Sequence, residues 1–179
     1  MEIIDVDKNI TLKEVGLEDV ETIFNTIDSE HEYLKEWLPF VEETTDISYT
    51  HTYVESLLNS PINELVCIIL YKNKFVGIVG TKDSDLGNKK TEIGYWLSEN
   101  YQGNGIMTKS CTALINFLFT TLEINRIQLK AATKNYKSQR IAEKLGFKKE
   151  GIERDGELHK HEFVDLVVYG LLKNEWQKQ

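Results

Sequence analysis

The most constraining feature of the sequence is a strand, a glycine-containing loop and a long amphipathic helix that follow one another between residues 91 and 122. Residues 91–97 have the pattern of a strand, and Gly103 and Gly105 interrupt the chain before the helix. From residue 105 to residue 122, apolar side chains recur every three to four positions, which predicts a helix with one buried face. These side chains are Met107, Cys111, Leu114, Ile115, Leu118, Phe119 and Leu122.

The remaining segments complete a pattern of hairpin strands followed by strand–helix units. Strands are predicted at residues 10–13, 65–71, 75–80, 91–97, 126–132 and 163–172, and helices at 19–27, 29–40, 46–58, 105–122 and 136–145. Pro61 is expected to end the third of these helices. This order indicates an α+β fold in which helices cover a mixed sheet. A chain of 179 residues fits one domain, which we expect to span residues 1–179.

Charge and composition exclude several classes of function. The net charge is −8 and no dense stripe of Lys and Arg is present, so we expect no nucleic-acid partner. The longest apolar run, residues 65–71, is too short to cross a bilayer, and the acidic start does not resemble a secretory signal, so a cytoplasmic location is expected. Cys67 and Cys111 lie far apart in apolar segments and are expected in the core. His159 and His161 have no third ligand nearby, so we expect no metal.

The start of the long helix is a candidate anion site. Free backbone N–H groups and the positive end of the helix dipole attract a phosphate there, and glycine lets it approach the main chain. Two common phosphate loops are excluded, because no Gly-Lys-Ser/Thr sequence is present and Thr108 stands where a dinucleotide fingerprint requires glycine. From the two glycines alone, a loop that merely shapes a tight connection remains an open alternative.

Two motifs carry a resemblance to a known family. Residues 102–107 resemble the Gln/Arg-x-x-Gly-x-Gly/Ala pyrophosphate loop of the GNAT acetyltransferases, with Met107 where Gly or Ala is usual. Residues 135–147 resemble the second coenzyme A element of that family, an Asn-x-x-Ser/Ala motif followed by a helix that ends in Gly-Phe. The likeness extends from about Ile10 to Trp176 and is closest to the branch that acetylates the N-terminal serine of ribosomal proteins, through residues 37–40, 92–96 and 150–151.

The resemblance implies a GNAT fold and a binding site for acetyl-CoA. In that fold a mixed, mostly antiparallel sheet of about seven strands is splayed between its fourth and fifth strands, here residues 91–97 and 126–132, with a bulge at Gly94. The implied cofactor-binding residues are Trp96, Leu97, Gln102, Gly103, Asn104, Gly105, Ile106, Met107, Asn135 and Ser138. Four cations could contact phosphates or could be solvated surface charges: Lys109, Lys134, Lys137 and Arg140.

The resemblance also assigns catalytic roles. It implies that Glu92 removes the amine proton, although a salt-bridged Glu is the alternative interpretation. The tyrosine that protonates the thiolate in many members is replaced by Ala142, and Ser138 is the substitute that the ribosomal-protein branch uses. Asn135 and Ser138 could instead cap their helix. The N–H of Leu97 is expected to polarise the thioester carbonyl.

The acceptor is expected to be a primary amine, most simply the N-terminus of a protein. Neutralising an α-amine at pH 7 costs only about 1 kcal/mol, against about 4.6 kcal/mol for a lysine, so a weakly positioned base would suffice. Trp37, Leu38 and Phe40 could wall the acceptor groove or belong to the core. Acetylation of a small amine and a non-catalytic CoA-binding module are the alternatives. The resemblance makes a homodimer plausible, in which the last strand and the tail at residues 171–176 pair with a second subunit.

Overall fold

Eight strands form one sheet in the computed structural model, which describes residues 3–60 and 64–176. The strands are β1 (Ile3–Asp7), β2 (Ile10–Glu14), β3 (Val66–Tyr71), β4 (Lys74–Asp85), β5 (Lys90–Leu97), β6 (Arg126–Ala132), β7 (Lys148–His159) and β8 (Glu162–Leu172), in the order β1-β2-β3-β4-β5-β6-β8-β7. The helices are α1 (Val20–Ser29), α2 (His31–Leu34), α3 (Ile47–Leu58), α4 (Ile106–Thr120), α5 (Tyr136–Lys144) and α6 (Lys173–Trp176). The predicted α+β fold is confirmed, while Pro61 lies outside the described residues.

The sheet separates where its one parallel pair of strands ends. β5 and β6 run parallel and pair only from Lys90↔Arg126 to Glu92↔Gln128, whereas all other neighbouring strands are antiparallel. Beyond Glu92, β5 stays paired with β4 and β6 stays paired with β8. The space between the two parted segments is called the slot below. The predicted splay is therefore confirmed.

The bulge that was expected at Gly94 is wrong. Gly94 pairs with Gly80 within a ladder that keeps its register from Gly77↔Leu97 to Lys82↔Glu92, and the irregularity comes only between Lys82 and Asp85. The strands part after three residue pairs, while β5 remains regular beside β4 and β6 remains regular beside β8.

Each face of the sheet carries its own core. On one face α4 packs its apolar side chains, from Met107 through Phe119, against inward residues of the central strands. The helix ends at Thr120, so Leu122, which was predicted in the apolar stripe, is exposed. On the other face, residues from α1, α2 and α3 pack against β3, β4 and Trp96. Cys67 and Cys111 are buried in the core, as predicted.

The segment after α1 also differs from the sequence prediction. The helix expected at residues 29–40 is only partly formed, because α2 stops at Leu34 and a 3-10 turn follows at Pro39–Glu42. Pro39 explains the break, since a proline disfavours helical backbone in the preceding residue, and Leu38 is extended.

The strand β8 lies between β6 and β7, so the expected pairing of this last strand with a second subunit is wrong.

The C-terminal tail packs against the fold. Trp176 at the end of α6 donates a hydrogen bond from its Nε1 to Oδ1 of Asn116 at 2.6 Å, and its ring lies 6.4 Å from the ring of Phe119. α6 is thereby held against α4. Within the described residues, no helix is both long and apolar enough to cross a membrane.

Candidate active site

The loop between β5 and α4, residues 102–107, is called the glycine loop. Gly103 and Gly105 both have left-handed backbone, with φ of +76° and +71°, and Gly105 is the N-cap of α4. A Cβ atom built on either glycine would meet no heavy atom within 4 Å. The side chain of Asn104 donates hydrogen bonds to the carbonyls of Tyr101 and Gln102, at 3.3 and 3.1 Å, which hold the loop in shape. The space above both glycines is therefore open, and a bound group can approach the main chain.

The side chains that follow the glycines leave this surface free. Ile106 and Met107 are buried in the core beneath α4, so their backbone is what the loop presents. The N–H of Lys109 bonds to the carbonyl of Gly105 at 3.0 Å, and the amides before it belong to the first turn, whose N–H groups have no partner within a helix. Open space, unpaired amides and the positive helix end fit a diphosphate. Met107, the departure from the family pattern, does not obstruct it.

The slot offers two sets of backbone groups. The N–H of Ser98 bonds to the carbonyl of Val76 at 2.8 Å, toward β4. Because hydrogen-bonding groups alternate between the two edges of a strand, the amides of Leu97 and Tyr95 point away from β4 and into the slot. An extended chain lying in the slot could hydrogen-bond to them.

Trp96 points the other way. Its indole is buried in the core beneath α1–α3, edge to face with Phe75 at a ring separation of 5.7 Å. The same alternation directs its backbone N–H to β4. The side chain of Trp96 therefore packs in the core behind β5, whereas the resemblance implied that Trp96 binds the cofactor.

Glu92 lies at the last residue pair before the strands part and is only 4% exposed. Its Oε1 lies 2.9 Å from Nζ of Lys82. Its Oε2 accepts a hydrogen bond from Nε2 of Gln128 at 3.0 Å and lies 3.8 Å from Nζ of Lys130. A buried carboxylate requires such compensation. Glu92 is therefore salt-bridged, as the alternative interpretation of the sequence expected. It also lies at the point where β5 and β6 part, next to the slot.

The start of α5 faces the slot from the other side. Asn135 Oδ1 accepts the N–H of Ser138 at 3.1 Å, so Asn135 caps the helix. Ser138 Oγ lies 3.0 Å from the hydroxyl of Tyr95 on β5. Ala142, one turn further along α5, is buried in the core. Sequence reasoning missed Tyr95, although strand alternation places it on the same face as Ile93 and Leu97.

The glycine loop is connected to both sides of the site through Gln102. Its amide nitrogen donates to the hydroxyl of Tyr33 in α2, and its amide oxygen accepts from Nζ of Lys137 in α5 at 2.9 Å. Burial, reinforced by nearby glutamates, raises the pKa of Tyr33 to about 12, so the phenol is neutral near pH 7. Gln102, whose backbone amide was predicted to bind phosphate, thus joins the two helices that flank the loop through its side chain.

Glu30, a second residue that sequence reasoning missed, holds the start of the same loop region. Its carboxylate accepts hydrogen bonds from Oγ of Ser98 and from the N–H of Glu99, the latter at 2.9 Å. Glu30 follows α1 directly. The junction of α1 and α2 is therefore held against the end of β5 by hydrogen bonds. No spacing pattern in the sequence predicts this contact.

The four candidate cations differ in their positions. Lys137 contacts the glycine loop through Gln102, whereas Lys109 forms an ion pair with Asp7 at 2.7 Å. Lys134 and Arg140 are exposed next to and within α5. Lys137 is the cation that the structure brings to the loop itself.

The predicted acceptor residues follow α2. Trp37 is half-buried, Leu38 packs against the core beneath α1–α3, and Phe40 is 44% exposed in the 3-10 turn. In the same turn, Glu42 pairs with Lys160 at the tip of the β7–β8 hairpin at 3.2 Å. β8 runs antiparallel to β6, so this tip lies at the end of the sheet where β5 and β6 part.

The two histidines at the hairpin tip do not form a metal centre with their surroundings. Nε2 of His159 lies 2.6 Å from Oε2 of Glu157, and His161 is exposed. Among residues 3–60 and 64–176, no group of three or more His, Cys, Asp or Glu is arranged to hold a metal ion.

Comparison with known proteins identifies the same fold. Residues 9–148 match the model of the acetyltransferase (GNAT) domain. The chain is 34% identical over 178 residues, 96% of either protein, to the Bacillus subtilis (strain 168) protein named "Putative ribosomal N-acetyltransferase YdaF".

Solved structures of two acetyltransferases superpose on the chain. One is RimL, the ribosomal L7/L12 alpha-N-protein acetyltransferase, in complex with coenzyme A, at a TM-score of 0.91 and 25% identity, covering 96% of this chain and 98% of RimL. The other is the microcin C7 self-immunity acetyltransferase MccE in complex with acetyl-CoA and AMP, at a TM-score of 0.86 and 27% identity, covering 93% of this chain and 94% of MccE. The chain is therefore an enzyme that belongs to the GNAT N-acetyltransferase family.

Proposed function

We propose that the chain transfers the acetyl group of acetyl-CoA directly to the N-terminal α-amine of a protein, with a ribosomal protein as the first candidate. The observation that carries the proposal is the open glycine loop at the start of α4, beside the parted strands β5 and β6. The names of YdaF and RimL support the acceptor, and the coenzyme A and acetyl-CoA complexes of RimL and MccE support the donor.

Bound acetyl-CoA supplies an electrophilic thioester carbon. The amides of Gly103 to Met107 would hold its diphosphate, and the free amides of Tyr95 and Leu97 would hold the extended arm in the slot. The N–H of Leu97 points away from β4 and would stabilise negative charge on the thioester oxygen. Trp96 would hold this strand in place through its packing in the core beneath α1–α3.

The chain's own side chains handle the protons. Glu92 lies on the face of the sheet that α1–α3 cover, with Trp37, Leu38 and Phe40 on the segment that follows α2, and accepts the amine proton directly or through water. A carboxylate has about four acceptor positions, so its contacts with Lys82 and Gln128 leave capacity for a proton. Ser138 Oγ lies beside the hydroxyl of Tyr95 and would hydrogen-bond to the leaving sulfur.

Acetyl-transfer assays test this proposal. Purified chain is incubated with acetyl-CoA and one of three acceptors: a peptide that begins with serine, the same peptide with a blocked N-terminus and an internal lysine, and spermidine. We expect thiol release and a mass increase of one acetyl group on the first peptide only. Transfer to spermidine alone would replace the protein acceptor with a small amine.

A matched pair of variants tests the role of Glu92. Glu92→Gln is expected to lower kcat about 100-fold, the usual contribution of a general base. Glu150→Gln is the control, because Glu150 is also ion-paired, with Arg126 at 2.5 Å, but lies outside the site. Equal turnover in both variants would remove Glu92 from the mechanism.

A homodimer and a cytoplasmic location complete the proposal. Light scattering after size-exclusion chromatography tests the former, and cell fractionation tests the latter.

A further inference from the structure

Tyr95 and Ser138 approach each other from opposite sides of the slot. Tyr95 belongs to the segment of β5 that has parted from β6, and Ser138 lies in the first turn of α5. The phenol oxygen is 3.0 Å from Oγ of Ser138 and 3.3 Å from its carbonyl oxygen. A serine hydroxyl donates one hydrogen bond and accepts up to two. The direction of the bond to Tyr95 therefore decides where the serine proton points.

The two distances favour Oγ of Ser138 as the acceptor of the phenol proton, because Oγ lies 3.0 Å from the phenol oxygen and the carbonyl oxygen, which can only accept, lies 3.3 Å away. Burial raises the pKa of Tyr95 well above its ordinary value, so the hydroxyl keeps its proton at neutral pH. Burial likewise raises the pKa of the neighbouring Cys111, which is a neutral thiol. A phenol that always carries its proton can donate to Ser138 Oγ, and the serine proton is then free for another acceptor.

Resting on the proposed function, we propose that Tyr95 is a positioning residue that orients the Ser138 hydroxyl toward the leaving sulfur. During transfer the amine nitrogen forms a bond to the acetyl carbon and the carbon–sulfur bond breaks, with its electron pair staying on sulfur. Ser138 donates a hydrogen bond to that thiolate until it takes a proton from solvent. The amine proton goes to Glu92, and Tyr95 keeps its own proton throughout.

This arrangement accounts for the missing phenol at Ala142. Residues 138 and 142 are four apart on α5 and so lie one above the other on the same helix face. Ala142 is buried within the core, while a phenol reaches this face from the facing strand at Ser138. The hydroxyl pair formed across the slot thus lies at the helix face that Ser138 and Ala142 share.

The test compares Tyr95→Phe, Ser138→Ala and the double variant, with Tyr169→Phe as the control. Tyr169 is a second buried tyrosine near Tyr95, and its removal should leave turnover unchanged. One hydrogen bond contributes about 0.5–1.5 kcal/mol, so Tyr95→Phe should lower kcat about 2- to 13-fold with the KM for acetyl-CoA unchanged. In the Ser138→Ala background, the second substitution should have no further effect.

The outcomes separate this inference from the function on which it rests. A kcat of Tyr95→Phe equal to that of the wild type, or additive losses in the double variant, would overturn the inference while the acetyltransferase activity stands. Ser138→Ala breaks the same contact from the other side, and its retention of full turnover would overturn the inference even if Tyr95→Phe failed to fold. A wild-type chain that binds acetyl-CoA and transfers nothing would overturn both.

Discussion

Replacing Gly105 by alanine tests the glycine loop, because the two consequences of the change can be calculated separately. A Cβ at this position meets nothing within 4 Å, so no steric clash arises inside the fold. The backbone is left-handed, with φ of +71°, and this conformation costs a non-glycine residue about 1–2 kcal/mol. For a chain of this length, 1 kcal/mol corresponds to about 2–4 °C, so Tm should fall by about 2–8 °C.

The effect on binding should be larger. The new methyl group occupies the open space that a phosphate needs, and the loss of charge-assisted hydrogen bonds costs about 1.5–3 kcal/mol, or about 10- to 100-fold in Kd. At a CoA concentration 100 times the wild-type Kd, the wild type gains about 2.7 kcal/mol of stability, or about 5–11 °C. A variant that binds 100-fold more weakly gains about 0.4 kcal/mol, or about 1–2 °C.

Thermal unfolding with and without CoA measures both quantities in one experiment. Gly151→Ala is the matched control, because a Cβ there also meets nothing within 4 Å and Gly151 is not among the glycines with positive φ. It should change neither Tm nor the CoA-induced shift. A folded Gly105→Ala variant that keeps the full CoA-induced shift would refute the assignment of the loop to the diphosphate.

Three further predictions concern stability. Asn135→Ala removes the N-cap of α5 and should lower the free energy of unfolding by about 1 kcal/mol, seen as a Tm lower by about 2–4 °C; an unchanged Tm would contradict the cap. Thr81→Val removes a hydroxyl that donates to Glu64 at 2.6 Å and should cost about 1–3 kcal/mol in chemical denaturation, whereas an unchanged midpoint would show that the hydroxyl is dispensable. Arg126 lowers the pKa of Glu150 from its ordinary 4.5, so the ion pair stabilises the fold above that pH, and this contribution is lost as the pH falls through the folded-state pKa. In a series of Tm measurements against pH, Glu150→Gln should therefore lose less stability on acidification than the wild type. A Tm curve parallel to that of the wild type would contradict the prediction.

The sequence predicted the central strands and α4 well, because their apolar periodicity is regular. It missed β1 and β7 for a physical reason: both lie at the edges of the sheet, and the charged side chains of β7 give no alternating apolar pattern. The helix predicted at residues 29–40 was wrong beyond Leu34, since the effect of Pro39 on the residue before it was not taken into account.

The candidate site was predictable where backbone geometry defines it and not where side chains meet across elements. The motif at residues 102–107 identified a loop that the structure leaves open above Gly103 and Gly105. Strand alternation alone could have placed Tyr95 in the slot. By contrast, the contacts of Glu30 with Ser98 and Glu99 join residues about 70 positions apart, and no local pattern indicates such pairs.

The double contact of Gln102 would make the proposed donor and acceptor sites of the enzyme interdependent. Its amide joins Tyr33, four residues before Trp37, to Lys137 on the cofactor side. If a phosphate draws Lys137 or Gln102 toward itself, the hydrogen bond to Tyr33 must change, and the segment proposed to receive the amine changes with it. If binding of the donor changes the affinity for the acceptor by some factor, binding of the acceptor must change the affinity for the donor by the same factor.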